Sequence, residues 1–157
     1  MKKLLIVLSL TLLTISASAQ NTEAVNAVLD NIHKFASEAN FDAYFDLYTK
    51  DAIFLGTDAT ERWSIDQFKG YAKPSFDAGR GWTYVMTDRN IYLSPDGNTA
   101  WFDESLENDG FGTCRGTGAL TKIGEEWKVT QYNLTVPIPN DLLRPVANQI
   151  REYHKGQ

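Results

Sequence analysis

The order of apolar and polar positions divides the chain into three parts: a short apolar run, helical periodicity to about residue 72, and strand alternation from residue 82 onward. The run, Leu4 to Ile15, follows the basic start Met1-Lys2-Lys3 and precedes Ala17-Ser18-Ala19, the small-x-small pattern a signal peptidase needs. At about twelve residues it is too short for a bilayer, which takes roughly twenty. The pattern predicts an export signal over residues 1–19, cleaved to leave a mature chain from Gln20 in a periplasm or the medium, with no membrane span. No cysteine follows the run to carry a lipid anchor.

Val25, Val28, Leu29, Ile32, Ala36 and Ala39 recur at helical spacing, so Asn21 or Thr22 can cap a first helix to about Ala39. Behind Asn40, the residues Phe41, Tyr44, Phe45 and Tyr48 repeat at i, i+3, i+4, i+7 and predict a second helix. Ala52 to Leu55 reads as a short buried strand ended by Gly56. Ser64 and Gln67 fit a capping box for a third helix with the stripe Ile65, Phe68, Tyr71 and Ala72, which Pro74 should end.

From Trp82 the period becomes two, with β-branched and aromatic residues between turn residues. Turns at Ser94-Pro95-Asp96-Gly97, Asn108-Asp109-Gly110 and Gly124-Glu125 separate four antiparallel strands near 82–93, 98–107, 112–123 and 126–136. Pro137 and Pro139 stop the ladder, and a C-terminal helix is predicted from about Pro145. Two helices, a strand, a helix and a meander define an α+β fold, a twisted sheet curled around helices on one face.

Losing residues 1–19 leaves 138 of 157, enough for one domain over 20–157 with a helical tail. It removes two of 15 basic residues against 20 acidic ones and takes the formal charge from −5 to −7. Nucleic acid and anionic membranes call for clustered positive charge, so neither is an expected partner. Cys114 is the single cysteine and reads as a small buried thiol, so stability has to come from packing.

The element order, with Tyr48-x-x-Asp51-Ala52-Ile53-Phe54, Gly56-Thr57-Asp58 with Glu61 and Trp63, Trp101-Phe102-Asp103-Glu104, Cys114-Arg115-Gly116-x-Gly118 and Trp127-Lys128-Val129 leading to Pro137, resembles the SnoaL-like domains of the nuclear transport factor 2-like superfamily. The resemblance covers nearly all of residues 22–140 and implies a cone-shaped, curved antiparallel sheet wrapped around N-terminal helices, often assembled as a homodimer. It carries no catalytic signature.

Register decides which side chains face the cone, because a slip of one residue inverts every side chain. With a three-residue loop at Pro95-Asp96-Gly97, Asp88 lies opposite Glu104, and Asn90 opposite Phe102. A second three-residue loop sets Glu104 against Cys114, and a two-residue turn sets Gly118 against Gln131. The inner face then holds Phe102 with the carboxylates Asp88 and Glu104, the carboxamides Gln131 and Asn133, and Tyr84 or Tyr92. The outer face carries Arg89, Asp103 and Arg115, with Trp101, Tyr132 and Leu134 as a homodimer surface.

Two inward carboxylates on adjacent strands would push their proton affinities apart, so Asp88 and Glu104 are the candidate acid/base pair for a cofactor-free isomerase or hydro-lyase. Tyr48, Trp63, Tyr84, Phe102, Gln131 and Asn133 are the candidate ligand-binding residues. The alternatives are that these carboxylates sit at the rim or pair with Arg89 after a register slip, and that Trp63, beside Glu61 and Arg62, packs on the sheet rather than closing a pocket mouth. His33, on the flank of the first helix, and His154 have no partner at metal-ligand spacing, so no metal site or cofactor is expected. Three readings follow: a binder of a small, partly apolar organic molecule, the acid/base enzyme, and a non-catalytic module that serves dimerisation or partner binding.

Overall fold

A computed structural model describes the backbone of residues 2–156 and the side chains of residues 19–156. The side chains of the export signal expected over 1–19 lie, up to residue 18, outside the described residues. In chain order the elements are α1 (Lys2–Ser37), α2 (Phe41–Asp46), β1 (Tyr48–Leu55), β2 (Arg62–Ser64), α3 (Ile65–Asp77), β3 (Val85–Leu93), β4 (Thr99–Asn108), β5 (Gly112–Ile123), β6 (Glu126–Thr135) and α4 (Asn140–Lys155). The strands form one curved, unclosed sheet in the order β2-β1-β6-β5-β4-β3. All neighbours are antiparallel except β1 and β6, which run parallel.

Helices α1, α2 and α3 lie against the inner face. Val25, Leu29, Ile32 and Ala36 of α1 are buried, and Tyr44 and Phe45 of α2 join Phe68 and Phe76 of α3 in a connected set of rings. Ser64 and Gln67 form the expected capping box. Several boundaries differ from expectation: α1 runs from Lys2 with no cap at Asn21 or Thr22, β2 is an added short strand, β3 starts at Val85 rather than Trp82, and α4 starts at Asn140 rather than Pro145. Pro74 does not end α3, because Phe76, two residues further on, is buried against Phe41, Tyr44 and Trp82, and its packing outweighs the lost hydrogen bond. Tyr48 opens β1 rather than closing α2, and β1 is twice the predicted length.

The meander forms where the turn residues place it, but the register departs from expectation at three points. Asn98 joins the first loop, closed by the Ser94 N–H to Thr99 carbonyl bond (2.8 Å) and by Ser94 Oγ and Asp96 Oδ1, which accept from the amides of Thr99 and Asn98. This four-residue loop sets Arg89 opposite Glu104 and Ile91 opposite Phe102, and a bulge between Met86 and Asp88 returns the pairing to the expected register beyond them. The slip is one residue, so Arg89 turns inward and Asp88 outward. In the second loop Asn108 Oδ1 accepts from Gly110 and Phe111, which sets Glu104 opposite Gly116. That slip is two residues, so faces are kept. The third turn is as predicted, with Ile123 opposite Glu126, but a bulge at Thr130 follows, and Gly118 faces Tyr132 instead of Gln131.

The bulge inverts the last half of β6. Trp127 and Val129 point inward as expected, and beyond it Tyr132 and Leu134 do so too, while Gln131 is exposed and Asn133 half-buried on the opposite face. A dimer surface of Trp101, Tyr132 and Leu134 therefore loses two of its three members to the core. Trp101 remains outside, 47% exposed and stacked on Tyr92 at 5.8 Å. Cys114 is buried and unpaired.

Candidate functional site

Inside the cone lie a buried ionic cluster and, beside it, an aromatic cavity. The cluster centres on Glu104, 2% exposed and the one charged residue among the buried set. His33 Nε2 donates to its Oε1 at 3.0 Å, Tyr132 Oη donates to the same oxygen at 2.7 Å, and Arg89 Nε donates to Oε2 at 2.8 Å. Arg89 Nη1 continues to Asn26 Oδ1 (2.7 Å) and Asp30 Oδ1 (2.6 Å). Asn26, Asp30 and His33 fall at i, i+4 and i+7, so one flank of α1 supplies all three. Gly116 lies opposite Glu104, and a Cβ there would strike Tyr132 Oη and the Glu104 carboxylate, so the glycine makes room for their bond.

Burial pushes the Glu104 carboxyl up, but the hydrogen bonds from His33 and Tyr132 and the charges of His33 and Arg89 outweigh it and hold the group below its ordinary value. Burial, reinforced by the Glu104 charge, pushes the Tyr132 phenol far up, so it keeps its proton and donates. Glu104 is thus an anion whose oxygens are both engaged. Asp88 is exposed, one strand position from Arg89, so the carboxylate pair expected on the inner face does not form. Glu104 faces inward as expected, paired with Arg89.

The cavity, about 240 Å³, is lined by Phe54, Gly56, Thr57, Glu61, Trp63, Phe68, Tyr71, Trp82, Tyr84, Phe111 and Leu134. Its walls are nearly parallel rings: Phe54 on Phe68 at 3.8 Å and 18°, Trp63 on Tyr71 at 4.5 Å and 28°, and Trp82 on Phe68 at 5.9 Å and 26°. Phe54 also stacks on Tyr132 at 6°, which joins the cavity wall to the ionic cluster. Burial pushes the Tyr84 phenol up to about 12, so it stays a neutral hydroxyl.

Of the residues singled out in the sequence, Trp63 and Tyr84 line this cavity. Phe102 and Tyr48 are core, the latter hydrogen-bonded to Tyr44 Oη at 3.0 Å. Gln131 and Asn133 lie on the far face. Sequence reasoning passed over Tyr132, Phe54, Phe68, Tyr71, Trp82 and Phe111 as site residues and treated His33 only as a possible ligand; it gave Arg89 as a carboxylate partner after a register slip, and that is the pairing Glu104 makes. The i, i+4, i+7 spacing of Asn26, Asp30 and His33 was a readable signal for the ionic cluster. A wider depression, about 870 Å³, runs between α2, β1 and the β5–β6 hairpin. Its lining mixes acids with lysines, of which Lys128 pairs with Asp46 at 3.2 Å. Among the described residues no cluster of three or more His, Cys, Asp or Glu is placed to hold a metal.

A cone of this order, with an aromatic interior between sheet and helices, defines the nuclear transport factor 2-like architecture. Residues 25–139 match the SnoaL-like domain family, and the chain belongs to it. Similar solved structures include a proposed dehydratase of the nuclear transport factor 2-like family from Streptomyces avermitilis, with a TM-score of 0.66 at 11% identity over 77% of this chain and 99% of that one. A proposed scytalone dehydratase from Novosphingobium aromaticivorans gives 0.65 at 10% identity, over 79% and 89%. A protein of unknown function from Pseudomonas putida gives 0.63 at 11%, over 78% and 89%. At these identities the likeness is one of fold. A comparison with curated proteins finds no match.

Proposed function

We propose that this SnoaL-like domain binds a small, partly apolar organic molecule in the aromatic cavity. The observation that carries the proposal is the cavity itself, a concave space walled by stacked rings with a few polar groups at its edge, the usual form of a small-molecule site. Its volume is below the roughly 300–1,000 Å³ of sites for drug-sized ligands, which favours a ligand of one or two rings.

Two similar structures bear dehydratase names, which supports a hydro-lyase as the second reading. That chemistry needs a group able to give and take a proton near neutrality. Glu104, held as an anion by three donors and shielded from solvent, is poorly suited to it, so binding is the stronger reading. Export remains part of the proposal. It is supported by the Met1-Lys2-Lys3 start, the Ala17-Ser18-Ala19 site, and a core whose first described buried residue is Val25, so cleavage after Ala19 removes none of the described core.

The four tryptophans give a direct test. In a ¹⁵N-¹H spectrum, titration with 1-naphthol is expected to move the indole signals of Trp63 and Trp82 and leave those of Trp101 and Trp127 in place. Movement of Trp101 instead, or of none, overturns the reading.

A further inference from the structure

The cavity's chemistry is one-sided. Rings enclose it from three directions: Trp63 and Tyr71 from β2 and α3, Trp82 and Tyr84 from the α3–β3 connection, and Phe111 from the β4–β5 turn. Its one charged residue is Glu61, and no lysine, arginine or histidine lines it. Glu61 Oε2 accepts from the Asp58 amide at 3.1 Å, while Oε1 makes no hydrogen bond among the described residues. Gly56 makes this placement possible, since a Cβ there would collide with Glu61 Oε2. Asp58, outside the lining, is held below its ordinary value by hydrogen bonds from Thr60 and, less strongly, by the charge of His154. The whole chain carries a formal −5, so the long-range field adds to the local one.

Aromatic faces are negative at their centres and attract cations, and a carboxylate among them adds to that attraction. An anionic ligand would be buried there with no positive partner. The lining's side-chain acceptors are Glu61, Thr57, Tyr71 and Tyr84, enough for an ammonium N–H, but most of the lining is ring and aliphatic surface. A quaternary or tertiary ammonium spreads its charge over apolar substituents and needs few acceptors or none. Resting on the reading that the cavity is a ligand site, we propose that the ligand is such a cation on a small aromatic or apolar body, with its charge against Glu61 and its bulk among the rings.

Phenyltrimethylammonium and tert-butylbenzene have the same shape and differ by one charge, so their comparison isolates the inference. In titrations of the full chain followed by the Trp63 and Trp82 indole signals, the cation is expected to bind about tenfold more tightly, the size of a partly desolvated cation–π contribution. Glu61→Gln keeps an acceptor for the Asp58 amide; it is expected to weaken the cation three- to tenfold and leave the hydrocarbon within twofold. Equal or tighter binding of tert-butylbenzene overturns the cation proposal and leaves the apolar site standing. A preference that persists unchanged in Glu61→Gln overturns the role given to the carboxylate. Failure of both probes to bind overturns the site itself. The comparison on the unmodified protein decides the matter even where the variant does not fold.

Discussion

Replacing Glu104 by glutamine tests whether the buried cluster holds the cone together. The substitution keeps the volume but removes the charge, and it turns an –NH2 toward a site where three donors converge at 2.7–3.0 Å. Arg89, its side chain 3% exposed, then keeps Asp30 as its one ionic partner, and Asp30 is itself half exposed. Breaking a buried pair from one side costs about 3–5 kcal/mol, because the remaining charge has no escape to water. The amide oxygen still accepts one bond, so the lower end, about 3 kcal/mol, is expected. With a urea m-value of about 2 kcal/mol/M, the midpoint should fall by about 1.5 M at unchanged m. Combining Glu104→Gln with Arg89→Met removes both charges, so the double variant should cost about 2 kcal/mol less than the sum of the singles. Additivity within about 0.5 kcal/mol, or a single-variant cost under about 1 kcal/mol, would refute the claim that the pair acts as a unit.

The pH dependence follows from the same group. Because folding lowers the Glu104 pKa, its contribution is complete above the ordinary carboxylate value of ~4.3 and is lost as pH falls through the lower folded value. Urea midpoints from pH 7 to pH 3 should fall more steeply in the parent chain than in Glu104→Gln; parallel curves would contradict this. A Cβ on Gly118 would overlap the Gln131 carbonyl and press on Phe102, so Gly118→Ala should destabilise by about 1–3 kcal/mol in urea melts, and a neutral result would contradict the register around the Thr130 bulge. Trp101→Glu, on the outer face, should leave the unfolding free energy within about 0.5 kcal/mol of the parent's in urea melts. If the Trp101–Tyr92 patch joins two copies, sizing chromatography should show that variant as a monomer beside a dimeric parent, and an unchanged elution position would rule that surface out as the contact.

Much of the architecture was legible because it rests on local signals. The Ser64–Gln67 capping box, the α1 stripe and the three turns of the meander need only nearby residues, and each is where the pattern places it. The inner face was harder. Its membership depends on whether a loop has three residues or four and whether a strand carries a bulge, and side-chain hydrogen bonds decide both: those of Ser94 and Asp96 in one place, and of Thr130 Oγ1 to the Ala119 carbonyl (3.0 Å) in the other. One added residue exchanged Asp88 for Arg89, and one bulge exchanged Gln131 and Asn133 for Tyr132 and Leu134. Glu104 kept its inward place because the second loop slipped by two. The cavity drew its rings from five separate elements and connections, and no single window of sequence shows Trp63, Tyr71, Trp82 and Phe111 as neighbours. Composition did forecast the character of the interior, since 12% aromatic residues in a chain this size have to stack somewhere.

A crystal structure of the chain grown with phenyltrimethylammonium tests the account most directly. Density for the cation between Trp63, Tyr71 and Trp82, with its nitrogen toward Glu61, is the predicted result. A cavity closed by rearranged rings, or the cation bound only elsewhere on the molecule, would contradict it.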